Sequence, residues 1–250
     1  MRLDVYLVEQ SLVDSRTDAK NFILAGAVCV DGKVVKKPAF EVLGTENVTV
    51  DKSGKKFVSR GGLKLEAALD AFCIDVAGAY ALDVGASSGG FTDCLLKRGA
   101  SHVIAVDSGS GQIVESLRID PRVTVIENYN ARYMQASDFS IPPMLAVMDV
   151  SFISQTLILP ALATVLPVGA KLISLVKPQF EVGRAFVGRG GLVRDEKARQ
   201  AAIARVKEAG IACGFRFVGV MTSPITGGDG NVEYLICFDK SEEKRIQEID

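Results

Sequence analysis

The sequence predicts an α/β protein built on a mostly parallel sheet, preceded by a small α+β module. Three observations carry that reading. From Ser59 onward, apolar runs of strand length alternate with helical segments, the pattern of a parallel sheet. The run Tyr80–Val84 ends in a glycine-rich turn that opens a helix, the layout of a nucleotide-type site at a strand's carboxyl end. The first fifty or so residues have a different texture, with two short helices and several very short strands.

In chain order, Leu3, Leu7 and Val8 mark the first helix. Ser15 is placed to cap a second, 16–25, which Gly26 stops. Val28-Cys29-Val30, the turn Asp31-Gly32 and Val34-Val35 read as strand, tight turn and strand, with Val48-Thr49-Val50 as another. A helix over 62–72 leads into Tyr80–Val84. Later strands are expected at 103–106, Val123–Ile126, 144–149 and Lys171–Val176, with helices at 90–98 and 155–166 between them. Residues 180–194, rich in glycine and arginine, read as a mobile loop whose Arg184, Arg189 and Arg194 would close over a substrate. Asp195 then starts a long helix to about residue 209. Strands Phe215–Thr222 and 232–238 flank a turn over 225–231, which makes seven strands in the second unit. The expected domains are 1–58 and 59–240, followed by a charged tail over 241–250.

Composition narrows the chemistry. Apolar content of 48% suits a packed globular chain, and a net charge of −1 leaves room only for a local basic patch. Cys29, Cys73, Cys94, Cys213 and Cys237 show no C-x-x-C pair and read as buried thiols of a reducing, cytoplasmic protein. Met1-Arg2-Leu3-Asp4 begins an amphipathic helix and shows no signal-peptide core. His102 is the only histidine and reads as a core or strand-edge residue, so Ser-His-Asp chemistry and a transition-metal centre are not expected. Catalysis falls to Asp, Glu, Lys or Tyr. The apolar stretch 153–176 contains Gln155, Pro160, Pro167, Gly169 and Lys171, and reads as a buried helix and strand, not a membrane span.

Ligands of parallel sheets bind beyond the carboxyl ends of the strands. Asp83 and Gly85, Asp107, Asn128 and Asn130, Asp149 and Lys177 all fall at that edge. A pyrophosphate site wants no anion there, and Gly85, Gly89 and Gly90 do not make G-x-G-x-x-G. The Asp83 carboxylate instead favours a cationic ligand such as S-adenosylmethionine, and a methyltransferase over a dehydrogenase. Asp107 suits ribose hydroxyls or a turn before Ser108-Gly109. Asn130 or Asn128 reads an adenine edge or caps a turn. Lys177 is a general base oriented by Asp149, or a strand-end salt bridge.

Lys64, Asp149, Lys177 and Glu233, with Asp83-Val84-Gly85-Ala86-Ser87-Ser88-Gly89-Gly90-Phe91-Thr92, resemble the K-D-K-E ribose 2′-O-methyltransferases of the FtsJ type. Ser59-Arg60-Gly61-Gly62-Leu63-Lys64, Asp149-Val150-Ser151-Phe152-Ile153-Ser154, Lys177-Pro178-Gln179-Phe180-Glu181 and Gly230-Asn231-Val232-Glu233-Tyr234 are similar to one branch, the TlyA (hemolysin A) family of ribosomal RNA methyltransferases. Arg2-Leu3-Asp4, Ser15-Arg16 and Gly26-Ala27-Val28-Cys29-Val30-Asp31-Gly32 resemble the S-four RNA-binding module. The resemblance runs from Arg2 to about Phe238. It implies a Rossmann-like class I methyltransferase domain and methyl transfer from S-adenosylmethionine to a cytidine 2′-hydroxyl in ribosomal RNA.

It also implies Lys64, Asp149, Lys177 and Glu233 as catalytic residues. Asp83, Gly85, Ala86, Ser87, Gly89, Gly90, Phe91, Thr92, Asp107, Asn130 and Asp149 would form the cofactor site. Arg2, Arg16, Lys20, Lys36, Lys37, Lys55, Lys56 and Arg60 would contact RNA. Ribosomal subunits are the expected partners, with a homodimer open and no metal. Between Lys33 and Lys64, Lys33, Lys36, Lys37, Lys52, Lys55, Lys56, Arg60 and Lys64 face only Glu41, Glu46 and Asp51, a basic strip suited to phosphates. Some members carry an Arg-x-Trp-Val interdomain linker. Here Lys56-Phe57-Val58-Ser59 stands in that place, which leaves linker-mediated coupling open. The competing readings are a membrane-active haemolysin and a non-catalytic RNA-binding protein on the same fold.

Overall fold

The computed structural model describes residues 1–13, 15–24, 26–51 and 56–241. The chain divides into two compact units, Met1–Ser59 and the residues from Arg60 onward. The expected ends at Ala25 and over 242–250, and the expected RNA contact Lys55, lie outside the described residues.

The first unit holds helices α1 (Leu3–Glu9) and α2 (Arg16–Leu24) and a three-stranded antiparallel sheet. Its strands are β1 (Val28–Val30), β2 (Lys33–Val34) and β3 (Val48–Val50), in the order β2-β1-β3. Ser15 caps α2 as the sequence suggests, its Oγ accepting from the Asp18 amide at 3.1 Å. Asp31 (φ 48°) and Gly32 (φ 76°) are both left-handed, as a two-residue hairpin turn requires, and Val30 pairs with Lys33 across it. Leu3, Leu7, Ile23 and Val28 form the core. Asp4 is fully buried at its edge and takes two hydrogen bonds from Arg2, at 2.9 and 3.0 Å. Arg2 thereby holds the Asp4 carboxyl below the usual range.

The second unit is a seven-stranded sheet. Its strands are β4 (Tyr80–Val84), β5 (His102–Val106), β6 (Val123–Ile126), β7 (Leu145–Met148), β8 (Lys171–Val176), β9 (Phe215–Thr222) and β10 (Tyr234–Lys240). They lie in the order β6-β5-β4-β7-β8-β10-β9. The first five are parallel, and β10 runs antiparallel to both β8 and β9. Helices α3 (Gly61–Ala71), α4 (Gly90–Lys97), α5 (Glu115–Arg118), α6 (Leu159–Val165), α7 (Pro178–Glu181) and α8 (Glu196–Ala212) complete it. Both faces of β7 are buried, which is why its sequence runs Leu-Ala-Val-Met without alternation. The reversal at β10 places Tyr234 opposite Val176, so Glu233 arrives beside Lys177.

The structure corrects four expectations. The helix expected over 155–166 is broken into a 3-10 turn, Gln155–Leu157, and α6. Pro160 lies in the first turn of α6, where its missing N–H costs least, and Gln155 is drawn inward to bond the β8 strand. The segment expected as one loop holds α7 and 3-10 turns at Arg184–Phe186 and Arg189–Gly191. Asn231, 2% exposed, pins its end, accepting from the Val193 amide and donating to the Gly191 carbonyl, each at 2.9 Å. The closing strand starts at Tyr234, two residues late. Of the cysteines only Cys94 and Cys237 are buried; Cys73 is exposed, in the left-handed turn (φ 51°) after α3. His102 sits at the strand edge, stacked on Tyr80 with Nε2 at 2.8 Å from Thr124 Oγ1. Among the described residues no helix is long and apolar enough to cross a membrane.

Candidate active site

The carboxyl ends of β4, β5, β7 and β8 converge as the sequence suggests. Gly85 leaves β4 at φ 83°, and a Cβ there would stand 2.6 Å from the Asp149 carbonyl oxygen. Only glycine lets the ends of β4 and β7 approach so closely. Asp107, after β5, ties two loops together: Oδ2 accepts from the Ser87 amide at 2.8 Å and Oδ1 from the Gly109 amide at 2.7 Å. Asn130 caps the following 3-10 turn, its Oδ1 accepting from the Arg132 amide at 3.1 Å.

These loops surround a cavity of about 460 Å³, within the range of small-molecule sites. Gly85, Ser87, Asp107, Asn130 and Asp149 line it. Gln112, Tyr129 and Ile158 line it too, without a signal in the sequence, as do Ser151, Phe152 and Ile153 of the motif that starts at Asp149. Asp83, Ala86, Gly89, Gly90, Phe91 and Thr92 are not among the lining residues. Phe91 and Thr92 are buried and support the glycine-rich turn from below. Asp83 is fully buried; Thr92 donates to its Oδ2 at 2.7 Å, while Oδ1 is buried with no partner among the described residues. Burial pushes the Asp83 carboxyl up to about 7, against the pull of the Thr92 hydrogen bond.

Two ion pairs are present, one of which reaches the cavity through Asp149. Lys64 Nζ meets Glu233 Oε2 at 2.5 Å, both residues buried. Lys177 Nζ lies 2.6 Å from Asp149 Oδ1 as an ion contact, and its aligned hydrogen bond goes to Ser151 Oγ at 2.8 Å. Burial raises the Glu233 carboxyl, Lys64 and Lys177 pull it back, and Asp149 adds to the rise. The four residues therefore act on one another as a single charged cluster with no net charge.

Phe152 is the residue most easily missed. It is 92% exposed, holds a left-handed φ of 64°, and packs against Phe180 with ring centroids 5.2 Å apart. A bulky side chain at that φ is an outlier, and such strain of about 1–3 kcal/mol gathers at functional sites. Between Val150 and Ile153 its apolar character gives no signal in the sequence. In the first unit, Lys20, Lys36, Lys37 and Lys56 are exposed, while Arg2 and Arg16 reach toward Asp4 and stay about half exposed or more. Arg60 is partly buried, its guanidinium close to Gly228.

The sheet order, the glycine-rich turn after its central strand and the cavity beyond it define a Rossmann-like methyltransferase domain. Residues 57–240 match the FtsJ-like methyltransferase family and residues 1–48 match the S4 domain, the S-four module. The chain belongs to the TlyA (hemolysin A) family of FtsJ-like methyltransferases. It is 47% identical over 236 residues to the 16S/23S rRNA (cytidine-2'-O)-methyltransferase TlyA of Mycobacterium tuberculosis, covering 94% of this chain and 88% of that one. It is 44% identical over 239 residues to Hemolysin A of Brachyspira hyodysenteriae, covering 95% and 99%. A solved structure of a hemolysin-like protein from Streptococcus thermophilus superposes with a TM-score of 0.79 at 42% identity, over 97% of this chain and 89% of that one.

Proposed function

We propose that the protein transfers a methyl group from S-adenosylmethionine to the 2′-hydroxyl of a cytidine ribose in ribosomal RNA, with Lys64, Asp149, Lys177 and Glu233 as the catalytic residues. The observation that carries this is the pair of ion pairs, Lys177 with Asp149 and Lys64 with Glu233, joined to the cavity through Asp149, which lines it. The residues present fit the methyl donor. Asp83 Oδ1, buried beneath the glycine-rich turn with no partner among the described residues, is an unused acceptor that an ammonium would reach once that turn shifts. Gly85 keeps the floor open, and Asp107 stands where ribose hydroxyls would lie.

When bound, S-adenosylmethionine supplies an electrophilic methyl on a sulfonium. Lys177 would take the proton of the 2′-hydroxyl as that oxygen accepts the methyl group and S-adenosylhomocysteine departs. Asp149 and Ser151 hold that amine in place. Glu233 neutralises Lys64, so the cluster presents no excess positive charge to the donor. The exposed lysines Lys20, Lys36, Lys37 and Lys56, with Arg2 and Arg16, would bind RNA phosphates. Incubating the protein with labelled S-adenosylmethionine and separate ribosomal subunits tests this. The expected product is 2′-O-methylcytidine after nuclease digestion; a methylated base or no incorporation would overturn the reading.

Asp83 makes donor binding pH-dependent. An unfolded aspartate titrates near pH 4, whereas in the folded protein it is pushed up to about 7. Between those values the folded state holds a proton the unfolded chain has lost, so ionising Asp83 erodes stability as pH rises and adds nothing above about 7. An ammonium requires the carboxylate, so binding must expel the proton. Affinity should fall by up to about tenfold per pH unit below about 7, and Asp83→Asn should flatten the slope and weaken binding. Calorimetric titration between about pH 5.5 and 7.5 checks this; equal affinity throughout would refute it.

Phe152 offers an aromatic face at the rim of the cavity. Phe152→Ala is expected to raise KM for RNA on the order of tenfold with donor affinity unchanged, and Phe152→Tyr to keep wild-type KM. An unaltered KM in the alanine variant would remove the stacking role.

A further inference from the structure

We propose that Glu181 is a positioning residue for methyl transfer: from the turn after Lys177 it fastens the 149–154 segment, and so fixes where Lys177, Asp149 and Phe152 stand. The inference rests on the methyl-transfer reading above and deepens it.

Glu181 closes α7 and is 3% exposed. Its Oε2 accepts from the Ser154 hydroxyl at 2.6 Å and its Oε1 from the Gln155 amide at 2.8 Å. Both donors belong to the chain that follows Asp149. Gln155, 2% exposed, donates in turn to the Leu175 carbonyl at 2.5 Å and accepts from Ser174 Oγ at 2.6 Å, both on β8. From behind, Arg205 of α8 donates to the Glu181 carbonyl at 3.0 Å. At the front of the same two segments, Lys177 Nζ contacts Asp149 and Ser151. The segments leaving β7 and β8 are thus tied at both ends, with Phe152 at its left-handed φ held between the ties.

A buried carboxylate is costly to keep. Burial raises the Glu181 carboxyl, and the bonds from Ser154 and Gln155 are the largest influences that oppose the rise. Removing it would free the 149–154 segment to relax from its strained turn, carrying Ser151 and Asp149 off the Lys177 amine. The cavity's far wall, made by Gly85 and Asp107, takes no part in this network. Asp149, Ser151, Phe152 and Ile153 line the cavity, so donor binding weakens as well, but the larger loss falls on turnover.

The test uses the full chain with S-adenosylmethionine and ribosomal subunits. Glu181→Ala is expected to lower kcat on the order of 100-fold while donor affinity falls by no more than about tenfold. Glu181→Gln can still accept from the Gln155 amide and donate to Ser154, and should restore turnover to within about threefold of wild type. Wild-type kcat in the alanine variant overturns the inference, as does a fall that only tracks the folded fraction measured by melting. Should the alanine variant not fold, Ser154→Ala removes one tie alone and should lower kcat about fivefold; no change there also overturns it. An inactive wild-type protein would instead sink the methyl-transfer reading itself.

Discussion

Lys177→Ala is expected to slow methyl transfer on the order of 1,000-fold at saturating RNA, with donor affinity within about twofold of wild type. Lys177 stands at the end of β8, where Pro178 starts α7, and its amine meets Asp149 and Ser151 through side-chain oxygens. Truncation therefore leaves the sheet and the cavity floor in place, and the cost appears in the chemical step. Lys177→Arg should not rescue the rate, because a guanidinium cannot give up its proton in the working pH range. Single-turnover kinetics measure this directly. Alanine turning over like wild type would remove Lys177 from the role of base.

The second large effect is on stability. Lys64 and Glu233 form a buried pair 2.5 Å apart, 8% and 3% exposed. Lys64→Ala strands the Glu233 carboxylate and should cost roughly 3–5 kcal/mol. Burial already raises that carboxyl and Lys64 is the main force opposing it, so removing Lys64 raises it further. The sign follows: the variant regains stability as pH falls and Glu233 takes a proton, while the wild type gains less. Replacing both, Lys64→Met with Glu233→Leu, should restore melting close to wild type because the burial penalty vanishes with the charges. Methyl transfer should not return. A double variant that is both stable and active would show the pair to be structural only.

The positions of the strand-ending residues were legible because parallel strands buried on both faces read as unbroken apolar runs. A polar residue closing such a run has to lie at the edge, which places Asp107, Asp149 and Lys177 without any structure. The pairing partners were not legible from pattern. Lys64 meets Glu233 across 169 residues because β10 enters antiparallel between β8 and β9, and only the family resemblance had joined the two. Depth was not legible either. Asp83 looked like a residue facing the cavity, yet it lies beneath the glycine-rich turn with Thr92 on one oxygen. The break before α6 was hidden because Ile158, Leu159 and Leu162 keep a helical spacing of apolar residues through it, while Gln155 turns toward Ser174. Phe152 reads as an ordinary apolar residue until its φ of 64° and its exposure are seen.

The most direct measurement is a structure of the full chain with S-adenosylhomocysteine, the demethylated donor. Its amino group is expected against Asp83 Oδ1 with the glycine-rich turn shifted, its ribose at Asp107, and its sulfur turned toward Lys177 and Asp149. A ligand seated elsewhere, or a sulfur facing away from that pair of side chains, would contradict it.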